Sequence, residues 1–465
     1  MTSSMTVASV ATDHGHRLAD LVARYDGRAP RYTSYPTALQ FTPAVDEAVY
    51  RSWLAALPAD DPVSLYVHVP FCARLCWYCG CNTRAVNRHQ PIGEYVRLVL
   101  TEMERLGEAI GRRLPARSIH LGGGTPNMLS PRDMTAIFDG LSRVFDLAPD
   151  LEVAAELDPA TLNRDWVRAA ARHGLNRASL GVQNLDPSVQ AAVNRRETFE
   201  EIAAATGWLR DAGVRSINFD LMYGLPHQTT ANTLETIDAA VTLQPERIAL
   251  FGYAHVPWMK AHQQLIDEAA LPGPAARLDQ AEAAAERLAR SGYVRIGLDH
   301  FAREDDEMVR ALGEGRLHRN FQGYTTDTAT TLLGLGASAI GRLPQGYVQN
   351  VAQELGWRVA VQTEQLPVAR GVALTDDDRL RAEIIERLMC DLEVDLEAVC
   401  ARHGAQVSDL ATATARLAPF IADGLAAFEG ARLRVVGDGR LVVRSICACF
   451  DVYFAADVTR HSKAL

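Results

Sequence analysis

Cysteine is scarce in this chain, with eight residues among 465, and no export signal precedes them. The amino terminus, MTSSMTVASVATDHGHR, has neither a basic start nor a long apolar core. A disulfide-stapled secreted scaffold is therefore excluded, and a reducing, cytoplasmic location is expected. No apolar run approaches the length of a bilayer span, so no membrane crossing is expected. Positive charge is also short: 47 Lys and Arg face 57 Asp and Glu, for a net charge of −10. That balance argues against a nucleic-acid surface, while leaving room for a local basic pocket. Nucleotide fingerprints are missing as well. The single glycine run, Gly122-Gly123-Gly124-Thr125-Pro126, is not followed by Gly-Lys-Ser/Thr and does not match the dinucleotide-binding pattern. Nothing resembles an electron-carrier module, a coiled coil or a large bare apolar face, so a monomer is expected. What remains is ordinary globular material, 48% hydrophobic and 22% charged, long enough for one large domain and a smaller one.

The scarce cysteines are not spread evenly. Residues 67–82 read VHVPFCARLCWYCGCN and hold Cys72, Cys76, Cys79 and Cys81 within ten positions. The first three form a CxxxCxxC array. Just before it, Val63–Val69 alternates like a half-buried strand and Pro70 ends it, which puts the cysteines in a loop past a strand's carboxyl end. That is a favoured ligand position in α/β folds. Three chemistries compete there. A disulfide framework suits neither the length nor the compartment. Structural zinc usually takes two separated ligand pairs. An iron–sulfur cluster suits closely spaced thiolates best, each able to cap a different iron.

From Pro62 to about Ile340 a strand-then-helix rhythm repeats. Strands are predicted at Val63–Val69, Ser118–Leu121, Leu151–Leu157, Arg177–Val182, Ser216–Met222, Arg247–Tyr253 and Val294–Leu298. Helices are predicted between them, at Pro91–Arg112, Pro131–Val144, Thr198–Asp211 and Thr230–Val241. Repeated βα units imply a parallel sheet, either a full or partial TIM-like barrel or a doubly wound open sheet. In a barrel, Tyr66, His68, Glu156, Gln183, Asp220 and Ala254 would converge at one mouth, because each lies near a strand's carboxyl end. One such acid alone reads as a cap or salt-bridge partner; several in register read as a binding site. In the glycine run the missing side chains would let backbone groups approach a ligand, although a plain tight turn competes.

The flanks carry less signal. Residues 17–25 suggest a short amphipathic helix. RAPRYTSYPTA (residues 28–38) suggests an extended arm, either a packing strap or a lid offering Arg28, Arg31 and Tyr35 to a pocket. His318, Arg319, Gln322 and Tyr324 crowd one segment, readable as a surface loop or as a pocket wall for an anionic substrate. LLGLGASAIGRL then continues that returning segment. Thr375 is a predicted N-cap with Asp376 to Asp378 in the first turn. Beyond it, helices and the hairpin LAAFEGARLRVVGDGRLVV suggest a winged-helix-like module covering the barrel. Cys390, Cys400, Cys447 and Cys449 are expected to be core thiols there, although Cys447-Ala-Cys449 could form a redox pair. The expected divisions are 1–60 (helix and arm), 61–374 (barrel) and 375–465 (helical cover).

The array resembles the signature of the radical S-adenosylmethionine superfamily. Within it, PRYTSYPTA, YVHVPFC, CWYCGCN, GGGTP, LGVQ, VNR, FDLMYGLP, YAHVP, HRNFQGYTT, LLGLGASAI and CACFD resemble the oxygen-independent coproporphyrinogen III oxidase family over nearly all the chain past residue 20. The resemblance implies an α/β fold: a partial TIM-like barrel with an N-terminal arm and a mostly helical C-terminal domain. It implies a [4Fe-4S] cluster on Cys72, Cys76 and Cys79 and two S-adenosylmethionine molecules per chain. Tyr66, Tyr78, Gly123, Glu156 and Ile340 would hold the first; Gly124, Thr125, Gln183, Arg195, Asp220 and Ala254 would hold the second. Arg195, by itself, reads as a solvated helix charge. Tyr66, His68 and Cys81 would assist the chemistry. The implied reaction converts two propionates of coproporphyrinogen III to vinyls in heme biosynthesis, with electrons from an external donor such as flavodoxin or ferredoxin. The alternatives are a heme-binding chaperone-type relative without turnover, which Cys81 and the arm argue against, and a radical methyltransferase.

Overall fold

Period-two alternation builds the sheet. In β1 (Val63–Val69), Val63, Leu65, Val67 and Val69 are buried on one face, while Ser64, Tyr66 and His68 point to the other. The computed structural model describes Arg24, Tyr25, Gly27 and residues 29–454. The helix expected at residues 17–25 therefore lies almost wholly outside the described residues, as does Arg28.

Around β1 run β2 (Leu114–Gly123), β3 (Phe145–Leu157), β4 (Arg177–Gln183), β5 (Ser216–Tyr223), β6 (Arg247–Gly252), β7 (Tyr293–Ile296), β8 (His300–Arg303), β9 (Thr331–Leu335), β10 (Ile340–Leu343), β11 (Gly346–Asn350) and β12 (Val368–Ala373). They form one twelve-stranded sheet in the order β12-β11-β10-β9-β1-β2-β3-β4-β5-β6-β8-β7. Strands β9, β1, β2, β3, β4, β5 and β6 are mutually parallel; both flanks are antiparallel. No pairing joins the two edges, so the sheet is a partial barrel.

Two expectations change here. The seventh parallel strand is Thr331–Leu335, inside a segment read from its glycines as a returning loop. It pairs in register with β1, Tyr66 opposite Gly334. Val294–Leu298 is instead part of an antiparallel edge hairpin, β7 with β8. Five residues of unbroken apolar burial (Thr331–Leu335) cannot be told by period from a loop between glycines.

Helices α1 (Gln90–Ile110), α2 (Pro131–Val144), α3 (Arg164–Arg172), α4 (Phe199–Asp211), α5 (Thr230–Thr242) and α6 (Pro274–Arg290) cover the sheet's apolar face. Their starts are written locally: Ser130 with Asp133 and Thr198 with Glu201 form capping boxes. Helix α7 (Glu354–Gln362) packs against α1. The polar face of the sheet is turned inward and left open.

Thr375 caps α8 (Asp376–Asp391) as expected, with a capping box to Asp378. Beyond it, short helices and a three-stranded sheet (Glu393–Asp395, Ala426–Glu429, Arg432–Val435) enclose a second core. Tyr32 and Tyr35 of the arm, and Tyr25 before it, belong to that core. Tyr32 donates to Asp451 at 3.1 Å, and Val452 N donates to the Tyr35 hydroxyl at 3.2 Å. Arg444, itself buried, donates to the carbonyls of Ala29 and Pro30. This part of the arm is thus a packing strap. The Tyr35 ring faces the second core, while its backbone bonds to Tyr347 of β11 and Arg31 donates to Gly252 O at 3.1 Å, so the arm also touches the barrel.

The segment read as a pocket wall is a small hairpin, His318–Asn320 with Gly323–Thr325. Arg319 stacks 4.4 Å from the centre of the Tyr324 ring and donates to Arg31 O at 3.4 Å. Its guanidinium therefore holds the arm. Cys390, Cys400, Cys447 and Cys449 are buried and free, so the Cys447–Cys449 redox pair is not formed.

Candidate active site

The loop after β1 turns sharply because Pro70 stops the strand, and its backbone is then stitched to the end of β2. Gly124 N donates to Val69 O and Thr125 N to Phe71 O, both at 2.8 Å, while Gly123 N donates to Glu156 Oε2 at 3.1 Å. The three N–H groups expected to meet a ligand are thus taken up within the protein. A different need explains the glycines. A Cβ on Gly124 would lie 2.5 Å from Phe71 O, and one on Gly123, whose φ is +113°, would lie 2.6 Å from the His68 ring. The glycine run lets β2 close against the cysteine loop.

Each of the three array cysteines faces a hydrogen-bond donor. Thr83 Oγ1, able to donate, lies 3.2 Å from Cys72 Sγ, whose thiol donates to Thr125 Oγ1 at 3.9 Å. Arg195 Nη1 donates to Cys76 Sγ at 3.5 Å, and Cys81 N to Cys79 Sγ at 3.4 Å. Burial pushes the Cys72 thiol up, and the two threonine hydroxyls work against it. The Cys81 thiol hydrogen-bonded to it, with His262 and Lys260 nearby, holds the Cys79 thiol down to about 6, whereas Cys81 is pushed up by that same thiolate neighbour. Among the described residues no three side chains gather as they would around a single ion. Each sulfur has its own donor, and closely spaced thiolates of this kind suit the capping of separate irons of a cubane.

A second loop braces this one. Lys260 Nζ donates to Cys81 O at 3.1 Å, Gln263 Nε2 to Tyr78 O at 3.0 Å, and His262 Nε2 lies 2.7 Å from Cys79 O. All three follow Ala254 in the connection after β6. None of them was legible in the sequence, where a lone Lys or His in a long connection carries no pattern.

The inward face next to the cysteines is polar. His68 Nε2 lies 2.9 Å from Asn82 O, a group that can only accept, so Nε2 carries the proton and Nδ1 accepts from the Tyr66 hydroxyl at 2.9 Å. Burial lowers the His68 pKa and keeps the ring neutral. One register step along, His120 Nε2 lies 3.1 Å from Glu156 Oε1. Burial pushes the Glu156 carboxyl up, but His120 and the Gly123 N–H outweigh it and hold the group below its ordinary range. Asp220 accepts from Ser179 Oγ at 2.9 Å and Asn218 Nδ2 at 2.8 Å; burial, with the Glu156 charge adding to it, raises its carboxyl to about 6. His120, Ser179 and Asn218 were missed, yet the same period-two alternation that revealed Tyr66 and Glu156 carries them.

The remaining expected residues are distributed around this centre. Ile340 lies beside Gly334 and so beside Tyr66. Gln183 has φ +61° at the end of β4, and its amide and the Arg195 guanidinium both crowd Gly181. Arg195 is buried rather than solvated, bonded to Gly181 O at 2.5 Å and paired with Glu197 at 2.5 Å and Asp158 at 3.4 Å. Tyr78 packs with Val189, Val193 and Tyr253. Ala254 follows Tyr253, whose N–H is held by Tyr223 O. Cys81 is the exposed member of the loop.

Residues 66–240 match the family model described as the Radical SAM superfamily, and residues 374–442 match the HemN C-terminal domain. The chain is 50% identical over 448 residues to the oxygen-independent coproporphyrinogen III oxidase of Bradyrhizobium diazoefficiens, covering 96% of this chain and 100% of that one. It is 38% identical over 434 residues to the enzyme of the same name from Salmonella typhimurium, covering 93% and 94%. Among solved structures it superposes on the Escherichia coli coproporphyrinogen III oxidase (HemN), described as a radical SAM enzyme, with a TM-score of 0.88 at 37% identity, covering 91% and 98%.

Proposed function

The chain belongs to the oxygen-independent coproporphyrinogen III oxidase family, and from that premise we propose that it converts two propionates of coproporphyrinogen III to vinyls, giving protoporphyrinogen IX for heme biosynthesis. It is a radical S-adenosylmethionine oxidoreductase. No helix among the described residues is long and apolar enough to cross a membrane. In our reading it works in the cytoplasm as a monomer and takes electrons from an external one-electron donor, a flavodoxin or ferredoxin. The observation that carries the proposal is the donor-lined trio of Cys72, Cys76 and Cys79, set at the carboxyl mouth of a parallel sheet.

Those three thiolates hold a [4Fe-4S] cluster. When bound, the cluster and S-adenosylmethionine supply an electron and a 5′-deoxyadenosyl radical reactive enough to take an unactivated propionate β-hydrogen. Tyr66, Tyr78, Gly123, Glu156 and Ile340 hold the first cofactor molecule. Gly124, Thr125, Gln183, Arg195, Asp220 and Ala254 hold the second. Glu156, kept ionised, offers negative charge to a cationic cofactor. The neutral His68, its Nε2 proton donated to Asn82 O, orients the Tyr66 hydroxyl. Cys81 keeps its proton at the exposed edge of the loop, where it can face substrate. The partial barrel walls the site and limits side reactions of a radical.

An anaerobic assay with reconstituted chain, reductant, S-adenosylmethionine and coproporphyrinogen III tests this. Methionine, 5′-deoxyadenosine and a porphyrinogen lighter by two CO2 and four hydrogens are expected. Methyl transfer to substrate, stoichiometric heme capture without turnover, or reduction without adenosyl cleavage would overturn it.

A further inference from the structure

Residues 193–197 lie far from the cysteine loop in sequence, yet each of them meets it. Trp77 N donates to Val193 O at 3.0 Å, and Asn194 Nδ2 to Leu75 O at 2.9 Å. Arg195 Nη1 reaches Cys76 Sγ at 3.5 Å. Arg74 Nη2 donates to Arg196 O at 2.8 Å and lies 3.9 Å from the Glu197 carboxyl. The strip is itself braced. Arg195 N donates to Gln190 O, Glu197 N to Gln190 Oε1, and Gln190 Nε2 to Glu197 O. Four of these five contacts would hold the loop without any charge near a sulfur. The Arg195 contact differs in kind.

Its guanidinium is buried, with side-chain exposure of 12%, and is fixed by Gly181 O, Glu197 and Asp158, whose side chains are 0% and 5% exposed. A positive group so placed cannot swing away, and solvent does not screen it. One-electron reduction adds negative charge to a cluster whose thiolates already carry it. The N–H···S bond that this held guanidinium donates favours the reduced state over the oxidised one, which raises the reduction potential.

We propose that Arg195, held in place by Glu197 and Asp158, tunes the reduction potential of the cluster through Cys76, separately from any contact it makes with S-adenosylmethionine. The role rests on the reading of Cys72, Cys76 and Cys79 as cluster ligands. Arg195 acts here as a positioning and tuning residue, and Glu197 acts through it.

The test uses the full chain, reconstituted anaerobically, with neither S-adenosylmethionine nor substrate present, so that loss of cofactor binding cannot register. Iron and sulfide content are measured first, and the cluster is then titrated with reductant while its electron paramagnetic resonance is followed. Arg195→Met is expected to keep its iron and shift the midpoint to more negative potential, with Arg195→Lys between it and the parent. Asn194→Ala loosens the same strip but leaves the guanidinium, and is expected to titrate like the parent. In parent protein carrying 15N-guanidino arginine, pulsed resonance of the reduced cluster is expected to show a nitrogen coupling that Arg195→Lys weakens. This last measurement decides the matter if Arg195→Met fails to retain iron. An unchanged midpoint in Arg195→Met, an equal shift in Asn194→Ala, or no nitrogen coupling overturns the role alone. A parent chain that assembles no cluster overturns the functional reading, and this role with it.

Discussion

Cys79 and Cys81 lie two residues apart and are chemically opposite. The Cys81 hydrogen bond, with His262 and Lys260 alongside, makes Cys79 a ready thiolate, while Cys81 keeps its proton. Cys79→Ser is therefore expected to lose its iron. Cys81→Ser should keep it and lose turnover by roughly 10²-fold, the scale of a positioned proton donor. Iron per chain and 5′-deoxyadenosine formation measure the two effects, and an iron-free Cys81→Ser would refute the division of labour. Gly123 makes a second prediction. Its left-handed φ and the His68 ring 2.6 Å from any added Cβ mean that Gly123→Ala should cost roughly 1–3 kcal/mol of stability. It should also displace His68 from Asn82, measurable as a lower melting temperature together with reduced turnover.

Among elements, α1 does more than cover the sheet. Its Tyr95 hydroxyl donates to His68 O and accepts from Ala337 N, both at 2.9 Å. Its Glu102, fully buried, accepts from Gly336 N at 2.8 Å, Asn350 Nδ2 at 2.6 Å and Trp357 Nε1 at 3.1 Å. The helix thus ties the β9–β10 turn to α7 beneath His68. Burial raises the Glu102 carboxyl to about 7 from 4.5. The folded chain holds that proton more tightly than the unfolded one, so the contribution is complete below about pH 4.5 and fades as pH rises through 7. Relative to Glu102→Gln, the parent should lose on the order of 3 kcal/mol across that window. Melts of both proteins from pH 4 to 8 check it, and a constant difference would refute it.

The same elements show what the sequence could carry. Val63–Val69 and Pro131–Val144 are observed with the predicted bounds because alternation and a Ser130-Pro131 start are local signals. The parallel sheet and its polar mouth followed from repeated strand ends. Glu102 was invisible, since one acid within an amphipathic helix looks like any solvent-facing charge. Arg195 was misread for the same reason: Asp158, which helps to bury it, comes from another connection, and Glu197, two residues on, looks like one more surface charge. The strand Thr331–Leu335 was hidden by its flanking glycines, which serve close packing; a Cβ on Gly336 would lie 2.3 Å from the Tyr95 hydroxyl.

On the scale of the whole molecule, two cores share one strap. The barrel core and the C-terminal core are separate clusters, and the arm's two tyrosines sit in the latter while Arg31 reaches Gly252. Damage to the second core should therefore reach the barrel mouth. Leu388 is fully buried there, and Leu388→Ala should cost about 2–5 kcal/mol. Hydrogen exchange in residues 29–36 should rise and substrate turnover fall, while iron content holds. Unchanged exchange in the arm would show that the strap is secured from elsewhere.

The strap also sets an order of events at the ribosome. Tyr32 is made early, and its partner Asp451 lies 419 residues later. Chains fold from the amino end as they emerge, so the barrel strands can pair while the arm still lacks a dock. A nascent or truncated chain would carry an assembled sheet with an undocked arm, and only a translated C-terminus gives Tyr32 its partner.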